Sequence, residues 1–452
     1  MASAAAHQAC SRAAQVPRAR PIAASRRPQV AAAAAARGSG ASGPSAAAPP
    51  SRAAKHRGLL DALVQQARRE VVDGWLGDLV APLLTDDPGA AEPPPVTRSP
   101  QELADPDSRF VDVNGVNLHY KECWPEAAVA ATGPAASSTA TESSAAAGGS
   151  AAVQQAAQLP AIVLVHGFNG STFNWRSMMQ PLADATGCRV IAFDRPPFGL
   201  AQRPLEWGPG QRLQYNPYEL DGSARLAAGL LDALGVGRVI AVGHSAGALV
   251  CMELAQRQPH RVAGLGFVAP ALPTTPENSF TRRANLGQQL RFVAVRGLLQ
   301  DDRLGLRYVR RQILRRRDEV ASGSAGLTSA DDSESDADVA RGYLRPLLAH
   351  DWDRASLLNF RAFSIPPAYN YSTLAAPVLL GSEDGGLAAN ARTLAGLLER
   401  RPQGSTRFVE LQGVGHIPMD ECPGQLNQLL IKFVRQEVLA AAGSGAARQH
   451  SA

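Results

Sequence analysis

The amino-acid sequence predicts an α/β fold whose mostly parallel sheet is covered by helices on both faces. Short apolar runs, such as residues 161–165 and 239–242, are typical of buried strands. They alternate with helical patterns such as residues 218–234, as strands and helices do in parallel sheets. After Pro270 this alternation stops, and residues 271–365 have a helical, arginine-rich pattern. We therefore predict a parallel-sheet core that is interrupted by an inserted helical segment.

The strongest functional motif is Gly243-His-Ser-Ala-Gly247, in which a serine has a glycine two positions before it and another two positions after it. A predicted strand precedes the motif, and a helical pattern at residues 248–258 follows it. A turn this tight between a strand and a helix needs small flanking residues, strains the serine backbone and exposes the serine hydroxyl. This context indicates that Ser245 is a nucleophile.

A serine hydroxyl is a weak nucleophile at neutral pH, so it needs a base and an acid that orients the base. Asp384 lies in the loop after a predicted strand at residues 377–381. His416 lies in a glycine-rich loop after the next predicted strand, residues 407–411. We predict that His416 is the base and Asp384 the acid, with the adjacent Glu383 as the alternative acid.

Backbone amides near the serine are predicted to bind the negative oxygen that forms during acyl transfer. The loop His166-Gly-Phe-Asn-Gly170 follows the strand at residues 161–165 and can supply one amide, and Ala246 can supply the other. His166 and His244 are expected to support these loops rather than act as bases, because neither is placed where a general base is needed.

From about Phe110 to Val438 the chain resembles the α/β-hydrolase fold family, in its lipase, esterase and haloperoxidase-like branch. The matching motifs are His166-Gly167-Phe168, Asp194-Arg-Pro-Pro-Phe-Gly199, Gly243-His-Ser245-Ala-Gly247, Gly381-Ser-Glu-Asp384 and Gly415-His416. The resemblance implies a mostly parallel eight-stranded sheet with helices on both faces and an inserted helical cap. The site residues that it implies are Ser245 as nucleophile, Asp384 as acid, His416 as base, and the backbone amides of Phe168 and Ala246 as oxyanion hole.

Two positions depart from the family pattern. Pro197 stands where the first glycine of the loop after the fourth strand is usual, although Gly199 is kept, and this change falls on the pocket wall. The acid loop lacks the common proline after the aspartate, so Glu383 remains the alternative acid.

The composition limits the chemistry that the protein can use. The five cysteines show no paired spacing, so we expect a reducing compartment and no metal site. The predicted serine mechanism needs no cofactor. No run of 18 or more apolar residues occurs, so we do not expect a transmembrane helix.

The first 55 residues are predicted to be a disordered transit peptide. They lack acidic residues and are rich in arginine, alanine and serine, which is typical of chloroplast or mitochondrial leaders; we expect the chloroplast. Residues 1–50 carry six arginines and no acidic residue, so their removal lowers the formal charge of the chain from +5 to −1 (5 − 6). The basic character therefore does not imply nucleic-acid binding.

The rest of the chain divides into five predicted parts. They are an amphipathic helix with a Pro-rich linker at 56–105, the first part of the core at 106–270, the cap at 271–365, the second part of the core at 366–442 and a disordered tail at 443–452. The first part of the core opens with a β-hairpin around Asn114-Gly115 and holds an Ala/Ser/Gly-rich insertion, 127–158, that we expect to be disordered.

The cap contains a basic segment, residues 307–317, that places Tyr308, Val309 and Ile313 on one side of a helix. Contact with an anionic membrane is one interpretation. We favour a solvated helix whose charge is balanced by the acidic, mobile loop 331–338. The cap is predicted to cover the serine and to select an apolar acyl chain, using a stripe of apolar residues at Leu290, Phe292, Val293, Val295 and Leu298.

Together these patterns predict a plastid serine hydrolase that cleaves the ester of an apolar acyl group, with no nucleic-acid partner. The alternatives are C–C bond hydrolase, cofactor-free haloperoxidase, acyltransferase, chlorophyll or pheophytin esterase, and a ligand receptor that hydrolyses slowly. Members of the family with an aspartate nucleophile, such as epoxide hydrolases and dehalogenases, are excluded because residue 245 is serine.

Overall fold

The computed structural model describes residues 97–130, 151–274, 286–321, 335–362, 369–382 and 388–441. All of them belong to one compact unit, Asp61–Ala452. The predicted transit peptide, the helix predicted within 56–105, the acids Asp384 and Glu383 and the tail lie outside the described residues.

The core is an eight-stranded sheet, in the order β1-β2-β4-β3-β5-β6-β7-β8. Its strands are β1 Arg109–Val113, β2 Val116–Cys123, β3 Ala161–Val165, β4 Val190–Phe193, β5 Val239–His244, β6 Val262–Val268, β7 Val378–Ser382 and β8 Thr406–Glu410. Strands β1 and β2 pair antiparallel with each other and β2 pairs antiparallel with β4, whereas all other neighbours are parallel. The predicted fold class is therefore confirmed.

Helices follow most strands, and several lie between β6 and β7. They are α1 Glu126–Ala130, α2 Ala151–Gln158, α3 Met179–Thr186, α4 Leu220–Ala233, α5 Gly247–Arg257, α6 Leu286–Gln300, α7 Asp302–Ala321, α8 Asp336–Leu344, α9 Trp352–Ala362, α10 Ala388–Glu399, α11 Pro418–Glu421 and α12 Pro423–Phe433. Short 3₁₀ turns include Pro100–Leu103, Thr172–Trp175, Arg345–Leu348 and Tyr371–Thr373, and a π-helical segment, Val434–Leu439, continues α12. None of the described helices is long and apolar enough to cross a membrane.

Both faces of the sheet are buried at its central strands, which explains why β3 to β6 are nearly unbroken apolar runs. Val163 packs in one core cluster with Leu230 of α4, while Leu164 packs in a second cluster with Leu182 of α3 and Phe433 of α12. Successive side chains of a strand point to opposite faces, so a strand covered on both sides needs apolar residues at every position.

The opening hairpin has the predicted two-residue turn. Val113 pairs with Val116, and the intervening Asn114 and Gly115 have φ angles of 54° and 91°. A hairpin turn of this length requires positive φ at both positions, and asparagine and glycine adopt such angles most readily.

Helices α6 to α9 form the inserted cap, which has a small core of its own. Val309 and Ile313 of α7 are buried in that core against Leu299 and Trp352. The apolar side of the basic helix, at Val309 and Ile313, is therefore packed within the cap. Arg310, on the same helix, pairs at 2.6 Å with Asp353 of α9.

Three details of the sequence prediction differ from the structure. The ends of the insertion 127–158 are helical in α1 and α2, because alanine is the best helix former. The acidic segment 331–338 is helical from Asp336 onward, since the Ser335 side chain caps the helix by accepting from the Asp338 amide at 3.2 Å. Val293, assigned to the apolar stripe of the cap, is 67% exposed, because residues two positions apart lie on opposite sides of a helix.

Candidate active site

Ser245 lies at the sharp turn between β5 and α5, with a φ angle of 49°. A Cβ atom on Gly247 would lie 2.2 Å from the Val165 carbonyl oxygen, and one on Gly243 would lie 2.6 Å from the backbone of Gly247. Both distances are shorter than van der Waals contact allows, so the turn can form only with glycine at both positions. The spacing of the motif therefore follows from how closely the strand and helix approach each other.

His416 lies in the loop after β8, and its Nε2 atom is 3.1 Å from the Ser245 Oγ atom. The Ser245 amide donates to the Val268 carbonyl at 2.9 Å, which fixes the turn against the end of β6. A base must lie within hydrogen-bond reach of the proton that it accepts, and this pair meets that condition. The fold thus joins two residues that are 171 positions apart in the chain.

The backbone around His416 is held from two sides. The Glu421 carboxylate accepts the Gly415 amide at 2.6 Å and the Ile417 amide at 3.0 Å. His244 Nε2 donates to the His416 carbonyl at 2.7 Å. Glu421 is absent from the predicted site because a glutamate five residues after His416, at the end of a short helix, has no distinctive sequence pattern.

His166 and His244 support the loops of the site as neutral side chains. His166 Nδ1 donates to the Gly167 carbonyl at 2.7 Å, and its Nε2 accepts the Arg195 amide at 3.0 Å. Burial lowers the pKa of His166 to about 3 and that of His244 to about 4. This arrangement fits the supporting role that the sequence predicts for both residues.

The amides of Phe168 and Ala246 lie beside the serine, at the ends of β3 and β5. The residue before Phe168, Gly167, approaches so closely that a Cβ atom on it would lie 3.0 Å from the Ser245 Cβ atom. Within the described parts of the chain, neither amide donates to another group. Both are therefore free to donate to a substrate oxygen.

Asp194 organises the loop after β4. Its carboxylate accepts the Thr172 amide at 2.6 Å and the Leu200 amide at 2.7 Å, and pairs with His119 at 2.7 Å. Burial alone would raise the pKa of Asp194, but His119 and the amide donors hold it below its usual value. A Cβ atom on Gly199 would lie 2.0 Å from this carboxylate, which explains why the glycine is kept there.

The serine and histidine open into a cavity of about 570 Å³ that lies between core and cap. Pro197 is part of its wall, as expected. Phe168 stacks edge-on against Phe198 of the core at 5.3 Å and against Phe360 of the cap at 5.5 Å. The cap residues that line the cavity are Tyr308, Gln312, Ile313, Tyr343, Leu344, Pro346, Leu347, Trp352, Ser356 and Phe360. The inserted helices therefore cover Ser245 and form much of the surface that a substrate would contact.

A hydrogen-bonded group ties the cap to the segment that follows His416. The Tyr343 hydroxyl, on α8, donates to Asp420 and accepts from Asn174 Nδ2 at 2.6 Å. Asp420 also pairs with Arg176 at 2.6 Å. Since Asp420 precedes Glu421, the cap and the support of the base share one short helix.

The predicted acid, Asp384, and its alternative, Glu383, lie outside the described residues, so their contact with His416 stays a prediction. Among the described residues, no group of three or more His, Cys, Asp or Glu side chains is arranged to hold a metal ion.

Comparison with known proteins places this geometry in a family. Residues 160–421, more than half of the chain, match the family model described as alpha/beta hydrolase fold. An epoxide hydrolase from Caballeronia sordidicola is 26% identical over 309 residues, covering 61% of this chain and 88% of the relative. An AB hydrolase superfamily protein from Bacillus subtilis is 27% identical over 280 residues, covering 62% and 91%. With epoxide hydrolase A of Mycobacterium tuberculosis the identity is 29%, but the match covers only 39% of this chain and 44% of the relative.

Solved structures show the same fold at low sequence identity. A haloalkane dehalogenase loop variant from Bradyrhizobium elkanii aligns with a TM-score of 0.51 at 17% identity, covering 75% of this chain and 99% of the other. An epoxide hydrolase from Vigna radiata aligns with a TM-score of 0.50 at 16% identity, covering 73% and 97%. The chain therefore belongs to the alpha/beta hydrolase fold family.

Proposed function

We propose that the protein is a serine hydrolase that cleaves a carboxylic ester with an apolar acyl chain. The observation that carries this proposal is the 3.1 Å distance between Ser245 Oγ and His416 Nε2, at a strained turn inside a covered cavity. The aromatic and aliphatic side chains of the cavity suit an apolar acyl group, whose burial contributes about 0.8 kcal/mol per methylene.

The proposed reaction proceeds through an acyl-enzyme. Ser245 Oγ attacks the acyl carbon while His416 Nε2 takes the hydroxyl proton, and the amides of Phe168 and Ala246 donate to the oxygen that becomes negative. His416 then protonates the leaving alcohol, and Asp384 keeps its ring in the required tautomer. Water, activated by His416, releases the acid in the second half of the reaction. No cofactor enters this scheme.

Epoxide opening is the second candidate function, because relatives of the chain carry the name epoxide hydrolase. A serine oxygen that attacked an epoxide carbon, or displaced a halide, would be left in an ether. An ether has no carbonyl carbon at which water could attack, so the enzyme would not be regenerated. An acyl group on serine is an ester and has such a carbon. Ser245 therefore favours acyl transfer to water.

A substrate panel tests the proposal. The protein would be incubated with p-nitrophenyl esters of two to twelve carbons and with aryl epoxides, and the products identified by mass spectrometry. We expect ester turnover and a transient covalent species whose added mass equals the acyl group. Epoxide opening without ester turnover would contradict the proposal. Cleavage of a C–C bond, or acyl transfer to an alcohol in place of water, would point to one of the related reactions of the triad.

We also propose that residues 1–55 direct the protein to the chloroplast, with the mitochondrion as the alternative. The support is their composition, rich in arginine and alanine and free of acidic residues. A fluorescent protein fused after residue 60 should enter chloroplasts of a green cell. Fluorescence confined to mitochondria or the cytosol would contradict the proposal.

A further inference from the structure

Arg203 is a buried cation in the wall of the candidate active site. It lies in the segment between β4 and α4, is 7% exposed and lines the cavity that holds Ser245 and His416. The cavity wall is otherwise largely apolar, so a guanidinium group in this place needs an explanation.

Among the described residues, Arg203 donates hydrogen bonds only to neutral carbonyl groups. Its Nε donates to the Pro197 carbonyl at 2.9 Å, and Nη2 donates to those of Gly199 at 2.7 Å and Pro346 at 3.2 Å. Nη1 has no hydrogen-bond partner within the described chain, and it is not among the polar atoms sealed from solvent. The guanidinium group is thus held in place by Nε and Nη2, while Nη1 is left for a ligand.

No carboxylate among the described residues lies within ion-pairing distance of Arg203. Burial lowers the pKa of Arg203 only to about 10, so the group stays charged at neutral pH. A buried charge is costly unless it is paired, and proteins usually supply a carboxylate partner. Asp194 and Asp351 act on the Arg203 charge only from beyond ion-pairing distance. A folded protein that keeps such a charge without a direct carboxylate partner, in the cavity that holds Ser245, has a site that an anionic ligand would complete.

We propose that Arg203 binds an anionic oxygen group of the substrate, a carboxylate or a phosphate at the end of the acyl chain that Ser245 releases. The proposal rests on the proposed ester hydrolysis and narrows its substrate class to apolar esters that carry one negative charge. The apolar wall would contact the chain, and Nη1 would donate to the charged end. Hydrogen bonds between a guanidinium and an anion are stronger than those between neutral groups.

Two esters of equal length test this assignment. p-Nitrophenyl hemiadipate and p-nitrophenyl hexanoate both have six acyl carbons, but the first ends in a carboxylate and the second in a methyl group. The quantity measured is the ratio of kcat/KM for the charged ester to that for the neutral ester. Arg203→Met, which keeps an unbranched apolar stem but removes the guanidinium group, should lower this ratio by roughly 10- to 100-fold. Arg212→Met is the matched control, because it removes the same charge from a side chain that is 76% exposed and paired with Asp112.

A purely structural role for Arg203 would give a different result. In that case the variant would lose activity on both esters equally and the ratio would not change, which would overturn the proposal. A wild-type enzyme that rejects the charged ester would overturn it as well. If Arg203→Met does not fold, inhibition of the wild-type enzyme decides: hexanoate or hexyl phosphate should compete with the neutral ester much better than hexanol does. The stronger inhibitor identifies the anion as carboxylate or phosphate, and equal inhibition by all three would contradict the assignment.

Failure of this inference is distinguishable from failure of the proposed function. If the enzyme cleaves the neutral ester without preference for the charged one, the proposed function stands and the proposed role of Arg203 is contradicted. If it cleaves neither ester, the proposed function is contradicted. Binding of adipate, measured by calorimetry with wild-type and Arg203→Met proteins, then tests the anion site alone: binding that the variant lacks supports the site, and equal or absent binding contradicts it.

Discussion

At the scale of single residues, Glu421 holds the backbone on both sides of His416, the proposed base. Its carboxylate accepts the amides on both sides of His416, so both of its oxygens are engaged. Glutamine can accept only one of these bonds, because its amide nitrogen is a donor. Glu421→Gln should lower kcat by about tenfold, with little change in KM, because the substrate surface of the cavity is untouched.

The control for Glu421 is Glu399→Gln, at the exposed end of α10. It should leave kcat at the wild-type value. Steady-state kinetics would be combined with thermal unfolding of each variant. An unchanged kcat for Glu421→Gln, or a rise in KM alone, would show that Glu421 does not position the base.

The acid of the proposed triad is the next test at this scale. Its spacing after Gly381 favours Asp384 over Glu383. Asp384→Asn should lower kcat by about 10⁴-fold, because the His416 ring would lose its orienting charge, while Glu383→Gln should cost far less. The esterase kinetics of the two variants would be compared in parallel. A larger loss of kcat in Glu383→Gln than in Asp384→Asn would show that Glu383 is the acid.

At the residue scale, the sequence predicted those site residues whose roles are set by their immediate neighbours in the chain. Ser245 was recognisable because Gly243 and Gly247 are required by the approach of strand and helix. Glu421 and Arg203 were not recognisable, because their roles depend on contacts between distant parts of the chain. A glutamate near a loop and an arginine near a proline occur in many surface segments, and only the fold shows which atoms they meet.

At the scale of elements, the cap forms much of the wall of the cavity that holds Ser245, so we expect it to limit which substrates fit. Ile313 of α7 lines the cavity, so Ile313→Ala should make room for about three more carbons. The optimum of kcat/KM in the p-nitrophenyl ester series should move to longer chains by two or three carbons. Val293→Ala is the control, because its side chain faces away from the cap core. The same chain-length profile in both variants would show that α7 does not select the substrate.

The strands and helices that the sequence analysis bounds, such as 161–165, 218–234 and 407–411, were predicted to within two residues, because burial imposes a pattern that local sequence displays. The cap was harder to predict. Its basic helix α7 suggested either a membrane contact or a solvated surface, yet the buried Val309 and Ile313 belong to the core of the cap. Neighbouring helices determine which side of an amphipathic helix is covered. The local sequence pattern does not show which helices those neighbours are.

At the scale of the whole molecule, the buried neutral histidines make stability depend on pH. The pKa values of His166 and His244 are lowered to about 3 and 4, whereas the unfolded chain protonates histidine near 6.5. Between these values the unfolded state binds more protons, so stability is full above pH 6.5 and is lost as the pH falls toward 4. At pH 5 the protonation of each histidine in the unfolded chain should lower the free energy of unfolding by about 2 kcal/mol.

His244→Gln tests this dependence, because glutamine can still donate to the His416 carbonyl but does not titrate. The free energy of unfolding would be measured by urea denaturation at pH 7.5 and pH 5. The decrease in the free energy of unfolding from pH 7.5 to pH 5 should be smaller in the variant than in the wild-type protein by about 2 kcal/mol. An equal loss in both proteins would mean that His244 is not held neutral by burial.

The central claim is that Ser245 is the nucleophile, and covalent labelling tests it most directly. The measurement is the intact mass of the protein after reaction with a fluorophosphonate. Wild-type protein should gain one phosphonyl group, and so should Ser356→Ala, which removes another serine hydroxyl from the same cavity. Ser245→Ala should gain none and should lose ester turnover by roughly four or more orders of magnitude. Labelling of Ser245→Ala at the wild-type rate would contradict the account.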